Sequence, residues 1–346
     1  MPTGIPSVLM LIAAVVLIVA GIGFANLFLL NPADRGMANS GSSVVNDTNE
    51  NGLNTPAKTG WLDNFNRNIV DGGPPKDGIP AIDKPKYISA LEGDKLLKNT
   101  DIVFGINYKG VQKAFPRKML VWHEIVNDVI KGEKISVTYC PLTGTSIGLK
   151  GANNSGVDFG TSGKLVNSNL VMYDRQTNNL WPQILGISIN GADKGDELGW
   201  FPVYWTTWGQ WKNKYPDTLV LSENTGFLRP YDNDPYGSYN GENTYYQTGG
   251  PFFPLMAQNN KLPPKQVIVG IKLNNSYVAV PKDLAKSKRN ITINLANKTI
   301  LAVYDYDLDS VNVFEKDSKD PVTSFDAMWF AWYAFYPETE VYLDEG

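Results

Sequence analysis

The sequence predicts a β-rich α+β protein, a single body built from two internally repeated β units with short helices, behind an N-terminal transmembrane helix. Three observations predict it. Short runs with strand alternation, separated by Gly, Pro and Asn turns, recur along most of the 346 residues. Two distant stretches echo each other without a gap. One uncharged apolar run stands near the amino terminus. Composition sets the outer limits. A formal net charge of −4 leaves no basic footprint for nucleic acid. A single Cys excludes an intramolecular disulfide and any multi-Cys metal site.

Val8 to Leu30 carries no charge and spans about 34 Å as a helix, enough for a bilayer core. It exceeds the apolar core of a signal peptide, about 7–15 residues, and no clear cleavage site follows. Residues 1–31 therefore read as an uncleaved signal anchor, with a cleaved signal as the alternative. Arg35 follows the span and no Lys or Arg precedes it, so charge bears only weakly on orientation. Residues 32–60 form a Gly/Ser/Asn-rich tether. Glycosylation sequons at Asn46, Asn153, Asn274, Asn290 and Asn297 fit an exported body.

Residues 61–346 form the duplicated domain. From Trp61 to Ala90 the chain is rich in Pro and Gly, which argues against a long helix. It reads as a plain surface loop or as a strap packing Ile79 and Ile82 onto the body. IVFGINYKGVQKAFPRKML at 102–120 then matches VIVGIKLNNSYVAVPKDLA at 267–285. Gly105 answers to Gly270 and Pro116 to Pro281 (270 − 105 = 165), and the register holds to Tyr139 and Tyr304. KYPDTLVL at 214–221 echoes FYPETEVY at 335–342 (337 − 216 = 121). Repeat one covers 100–223 with an inserted hairpin, a linker loop covers 224–264, and repeat two covers 265–346.

Trp122 to Ser146 holds the only His, His123, and the only Cys, Cys140. Trp122, Ile125, Val126, Val129 and Ile130 fit one apolar face of a helix, with His123, Asn127, Glu124 and Asp128 on its rim. Residues 135–139 alternate as a strand, which ends at Cys140 because Pro141 cannot donate to a ladder. The second repeat has KRNITI in place of HEIVND and Asp305 in place of Cys140. Within the insertion, NLVMYD and NLWPQILGISI flank RQTN as a hairpin, with Asp174, Arg175, Trp181 and Gln183 near its turn. Thr207 is an N-cap for a short helix with Trp208 and Trp211 on one face. A last helix starts at Ser324 and is too short to span a bilayer, so it belongs in the core. The Tyr/Gly/Pro loop at 230–254 is long enough to be functional or flexible.

DGIPAI, HEIVND, VTYCPL, FGTSG, NSNLVMYDRQTNNLWPQ, TTW with KYPDT, and DPYGSY together resemble domain of unknown function family 3179, whose members are exported or membrane-anchored. The resemblance runs from the DGIPAI segment to the C-terminus and implies no established activity. Some members look like YCPLC at the cysteine turn. Thr143 stands at that second Cys here, which argues against a two-thiol mechanism.

Three functional readings follow. In a thiol-dependent redox enzyme, Cys140 is the nucleophile, His123 lowers its pKa or carries its proton, and the PLTG turn with Thr143 steadies an anion. Glu124, Asn127, Asp128, Asp174 and Gln183 would support that site. In a metal site, His123, Glu124, Asp128, Asp174 and Cys140 supply mixed ligands, a set that matches no standard motif. In a non-enzymatic surface module, the polar groups fix a buried turn and the aromatic loops bind a small molecule, glycan or protein. The sequence names no cofactor. The insertion supplies a further expectation: the hairpin at 169–183 packs beside the 140–145 turn, with His123 facing the same cleft.

Overall fold

The computed structural model describes residues 56–152, 156–237, 244–247 and 249–344. The apolar run at 8–30, most of the tether and the sequons at Asn46 and Asn153 lie outside these residues. No helix among the described residues is long and apolar enough to cross a membrane. The fold is β-rich, with short helices and several sheets.

The chain opens with helix α1 (Pro56–Arg67), strands β1 (Val70–Asp71) and β2 (Tyr87–Ser89), and the single turn α2 (Ala90–Gly93). α1 corrects two expectations: it takes the end of the tether, and WLDNFNR is helical rather than extended. The reason is amphipathic spacing, since Leu62 and Phe65, three apart, are both buried. Next come β3 (Ile102–Tyr108), β4 (Val111–Pro116), α3 (Arg117–His123), β5 (Ile125–Ile130), β6 (Glu133–Cys140) and β7 (Thr145–Lys150). The insertion supplies β8 (Phe159–Val166), β9 (Asn169–Asp174) and β10 (Leu180–Pro182). β11 (Gly199–Phe201), β12 (Tyr204–Thr207), α4 (Trp208–Lys214) and β13 (Leu219–Leu221) follow. The remainder is β14 (Val267–Leu273), β15 (Ser276–Pro281), α5 (Lys282–Lys288), β16 (Asn290–Leu295), β17 (Lys298–Asp305), β18 (Ser310–Glu315), β19 (Thr323–Met328), α6 (Trp329–Phe335) and β20 (Glu340–Val341).

The helix expected over 122–130 is not formed. α3 ends at His123, Glu124 takes a left-handed φ of 58°, and 125–130 is strand. β-branched Ile125, Val126, Val129 and Ile130 favour a pleated surface, and Val129, which a helix would have buried, is exposed. The last helix likewise begins at Trp329, after Thr323–Met328 has run as a strand.

The same elements recur in the same order at 102–150 and 267–315. Gly105 pairs with Ala114 and Gly270 with Ala279; Val103 pairs with Pro116 and Ile268 with Pro281. β4 lies parallel to β13, as β15 does to β20. Glu124 N–H donates to Leu120 O at 2.8 Å and Arg289 N–H to Ala285 O at 3.0 Å. Both cap residues have positive φ, because a helix that turns straight into a strand must leave through the left-handed region. A Cβ on Gly105 would lie 2.2 Å from the Trp211 ring, and one on Gly270 would lie 2.2 Å from the Trp332 ring. Each of those indoles donates to a threonine hydroxyl at 2.9 Å, Thr218 and Thr339 respectively.

The two stretches are packed into each other. Cys140 and Leu142, at the β6–β7 turn, share an apolar cluster with Trp329 and Trp332. Leu308, at the β17–β18 turn, packs with Trp208 and Trp211. Met328 N–H donates to Thr143 O at 2.9 Å, and Lys214 pairs with Asp305 at 2.6 Å. Each turn thus plugs against the tryptophans of the other half.

Candidate functional site

Cys140 ends β6 and is 1% exposed, with Sγ 3.9 Å from Ser168 O. Burial pushes its thiol up to about 11 and the nearby Glu124 carboxyl adds to that; hydrogen bonds from Thr143 and the Leu170 backbone oppose it without prevailing. At neutral pH the sulfur is therefore a buried thiol, not a thiolate.

His123 does not partner it. Its ring is fully buried, with Nδ1 2.7 Å from Pro80 O and Nε2 2.7 Å from Tyr231 Oη. A carbonyl can only accept, so Nδ1 carries the proton and Nε2 accepts from the tyrosine. Burial lowers its pKa to about 4; the Pro80 bond works against this and the Arg229 charge adds to it. The expected Cys140–His123 pair is thus absent, and each group is held neutral.

Asn127, Asp128 and Asp174 each sit in a separate network. Asn127 donates to Asp83 Oδ1 (2.7 Å) and Phe159 O (2.8 Å), and its carbonyl accepts from Ser136 Oγ (2.7 Å) and Phe159 N–H (3.0 Å). Asp128 pairs with Lys113 at 2.5 Å and accepts from Tyr87 Oη at 2.6 Å. Asp174 organises the β9–β10 turn, accepting from Gln176 N–H, Thr177 N–H and Oγ1, Asn179 N–H and Trp181 Nε1. Burial alone would raise its carboxyl, yet the Thr177 and Trp181 bonds bring it below its ordinary value.

Gln183 and Thr143 do meet. Thr145 Oγ1 donates to Gln183 Oε1 at 2.7 Å, and Asn169 Nδ2 reaches both Gln183 Oε1 (2.9 Å) and Thr143 Oγ1 (3.0 Å). The inserted hairpin therefore does pack beside the 140–145 turn, through a fully buried amide–hydroxyl network. His123 faces elsewhere. Glu124 is buried at the α3 cap, and burial raises its pKa to about 8. The five proposed metal ligands do not converge: among the described residues no group of three or more His, Cys, Asp or Glu is placed to hold a metal ion.

A different place is open. Two adjoining cavities of about 370 and 570 Å³ share Trp205 and Asp326 and form a groove between the two corresponding halves. Trp200, Tyr204 and Phe314 line its first part, with the hydroxyls of Ser310 and Ser324. Gln210, Gln266 and Gly144, the last at the tip of the cysteine turn, line its second. A further cavity of about 650 Å³ lies by 94–102, but Arg117 there pairs with Asp234 and Lys118 with Glu223. The groove is hard to read from sequence, because a tryptophan is ordinarily a largely buried residue. That holds for Trp208, Trp211, Trp329 and Trp332, which are fully buried, but Trp200 and Trp205 are only half-buried.

The family profile described as Protein of unknown function (DUF3179) matches residues 76–339. No curated protein and no solved structure matches the chain.

Proposed function

Because the chain belongs to the DUF3179 family, whose description names no activity, we propose its function from its own residues: a membrane-anchored, extracytoplasmic binding module, made of one β unit used twice, that takes its ligand in the groove between the units. Residues 8–30 are the anchor and the sequons accord with export. The observation that carries the reading is the groove itself. It is concave, within the usual 300–1,000 Å³ range of ligand sites, and combines half-buried aromatic rings with convergent polar groups. The thiol-enzyme reading loses its support because the thiol is buried and un-ionised and the imidazole is spent on Pro80 and Tyr231.

A thermal-shift screen of saccharides and peptides against wild type, Trp205→Ala and Cys140→Ser tests this. Ligands whose stabilisation is lost in Trp205→Ala and kept in Cys140→Ser support the groove. Ligands with the opposite pattern overturn it. Protease treatment of intact cells should release the body; full protection would overturn the extracytoplasmic placement.

A further inference from the structure

The sheet face that the second unit turns to the groove is the face that the first unit buries under its inserted hairpin. β18 alternates: Val313 packs in the apolar cluster of the second unit with Val311 against it, while Ser310, Asn312 and Phe314 line the groove. Val303 of β17 pairs with Asn312 and lines the groove too. The matching residues of the first unit are Thr145, Ile147, Leu149 and Thr138 (310 − 145 = 303 − 138 = 165), with Thr138 paired to Ile147. There Gln183 closes the face. Its Oε1 accepts from Thr145 Oγ1 at 2.7 Å, and its Nε2 donates to Thr138 Oγ1 at 2.9 Å. Ile147 and Leu149 share an apolar cluster with Leu170 and Met172 of the hairpin.

The second unit has no such insertion, and its face has changed in kind. Ser310 keeps the hydroxyl of Thr145, but that hydroxyl is buried with no hydrogen-bond partner, in a residue 5% exposed. A buried hydroxyl without a partner is unusual in a protein, and this one belongs to a residue that lines a cavity. Val303 stands where Thr138 accepts from the amide nitrogen. The group that satisfies this face is therefore a carbonyl oxygen for Ser310 with an apolar substituent, not –NH2, for Val303. An acetamido group has that shape, because its methyl takes the place of the –NH2 of a glutamine.

We propose that the groove binds an N-acetylamino sugar, its acetamido oxygen accepting from Ser310 Oγ and its acetyl methyl resting on Val303. The proposal rests on the groove being the ligand site. Trp200 and Phe314 offer ring faces to the C–H side of a pyranose, and Asn312 and Ser324 offer polar groups to its hydroxyls. Asp326 is already paired with Lys282, which suits an uncharged ring. The adjoining cavity of about 570 Å³ leaves room for a further sugar. A glutamine side chain of a partner protein would instead set its –NH2 against Val303, where nothing accepts it.

The test is titration calorimetry of the full-length protein in detergent with chitotriose and cellotriose, which differ only in the acetamido groups. Chitotriose should bind about tenfold more tightly, from one hydrogen bond and one buried methyl. Ser310→Ala should weaken chitotriose about three- to tenfold and leave cellotriose unchanged. It should also leave the melting temperature at or above that of wild type, because the deleted hydroxyl bonds to nothing. On the wild type, which needs no variant to fold, saturation-transfer NMR should show the acetyl methyl protons in closest contact with the protein. Equal affinity for the two sugars, chitotriose binding that Ser310→Ala leaves intact, or no chitotriose binding overturns the proposal. If chitotriose fails and a glutamine-bearing peptide or another ligand binds and is lost in Trp205→Ala, the groove stands and the sugar falls. Chitotriose binding that neither Ser310→Ala nor Trp205→Ala weakens removes both.

Discussion

At matching positions of the two units, Lys113 and Asp128 form a buried ion pair where Val278 and Ile293 pack in an apolar cluster, and Glu124 is buried where Arg289 is exposed. Asn127, with four hydrogen bonds, answers to exposed Thr292; His123 answers to exposed Lys288. The backbones agree down to the left-handed cap and the glycine under each tryptophan. What differs is cover. The first unit lies beneath three segments that the second lacks: the strap before β2, the inserted hairpin and the loop after β13. Its polar side chains are where those segments are fastened. His123 joins Pro80 of the strap to Tyr231 of the loop, Asn127 joins Asp83 to β8, and Thr143 and Thr145 join Gln183 and Asn169 of the hairpin. Buried polar groups are as a rule hydrogen-bonded, and for His123, Asn127, Thr143 and Thr145 the bonds run to the cover.

The largest expected difference between the units is at Asn127. Asn127→Ala leaves the Phe159 backbone groups and Ser136 Oγ without their partner, and should cost about 4 kcal/mol in denaturant unfolding. Thr292→Ala at the matching exposed site should stay within about 0.5 kcal/mol. Equal losses would break the comparison.

His123 gives the next difference, in pH dependence. Its folded pKa of about 4 lies below the ordinary 6.5, so the unfolded chain takes the proton first as pH falls. Its contribution is complete above about pH 6.5 and is lost as pH falls toward and through about 4, to a total of about 3 kcal/mol. Subtracting the stability–pH curve of His123→Asn from that of wild type should isolate this slope. The Lys288→Asn curve should lie parallel to wild type.

The smallest difference is expected where the units agree. Gly105→Ala and Gly270→Ala each push a methyl into a tryptophan ring, at a cost of about 2–3 kcal/mol. Their melting-temperature losses should match closely. A large loss at one site alone would show that the glycine–tryptophan contact is not equivalent in the two units.

Much of this fold is legible before any coordinates. The offset from Gly105 to Gly270 locates matching hairpins, RQTN marks the β9–β10 turn, and Thr207 caps α4 as its residue type suggests. The strand at 125–130 was also within reach. Its spacing suits helix and strand alike, but NITINL at 290–295 alternates plainly and lies at the same offset. The site was less legible for a physical reason. His, Cys, Asn and Asp near one turn look the same whether they act on a substrate or hold a strap, because only their partners differ, and Pro80, Tyr231 and Gln183 are remote in sequence. The groove was hidden for a related reason: its rings, Trp200, Tyr204 and Phe314, are residue types that pack in a core as readily as they line a site.

The most direct measurement is the alkylation rate of Cys140 by iodoacetamide in the native full-length protein between pH 7 and 8, for wild type and His123→Asn. With its thiol near 11 and buried, Cys140 should react at least ~100-fold more slowly than a free thiol of pKa about 8.5. His123→Asn should leave that rate unchanged or raise it by loosening the cover. Reaction at or above the free-thiol rate, slowed by His123→Asn, would show that these residues act as chemistry after all and would contradict the account.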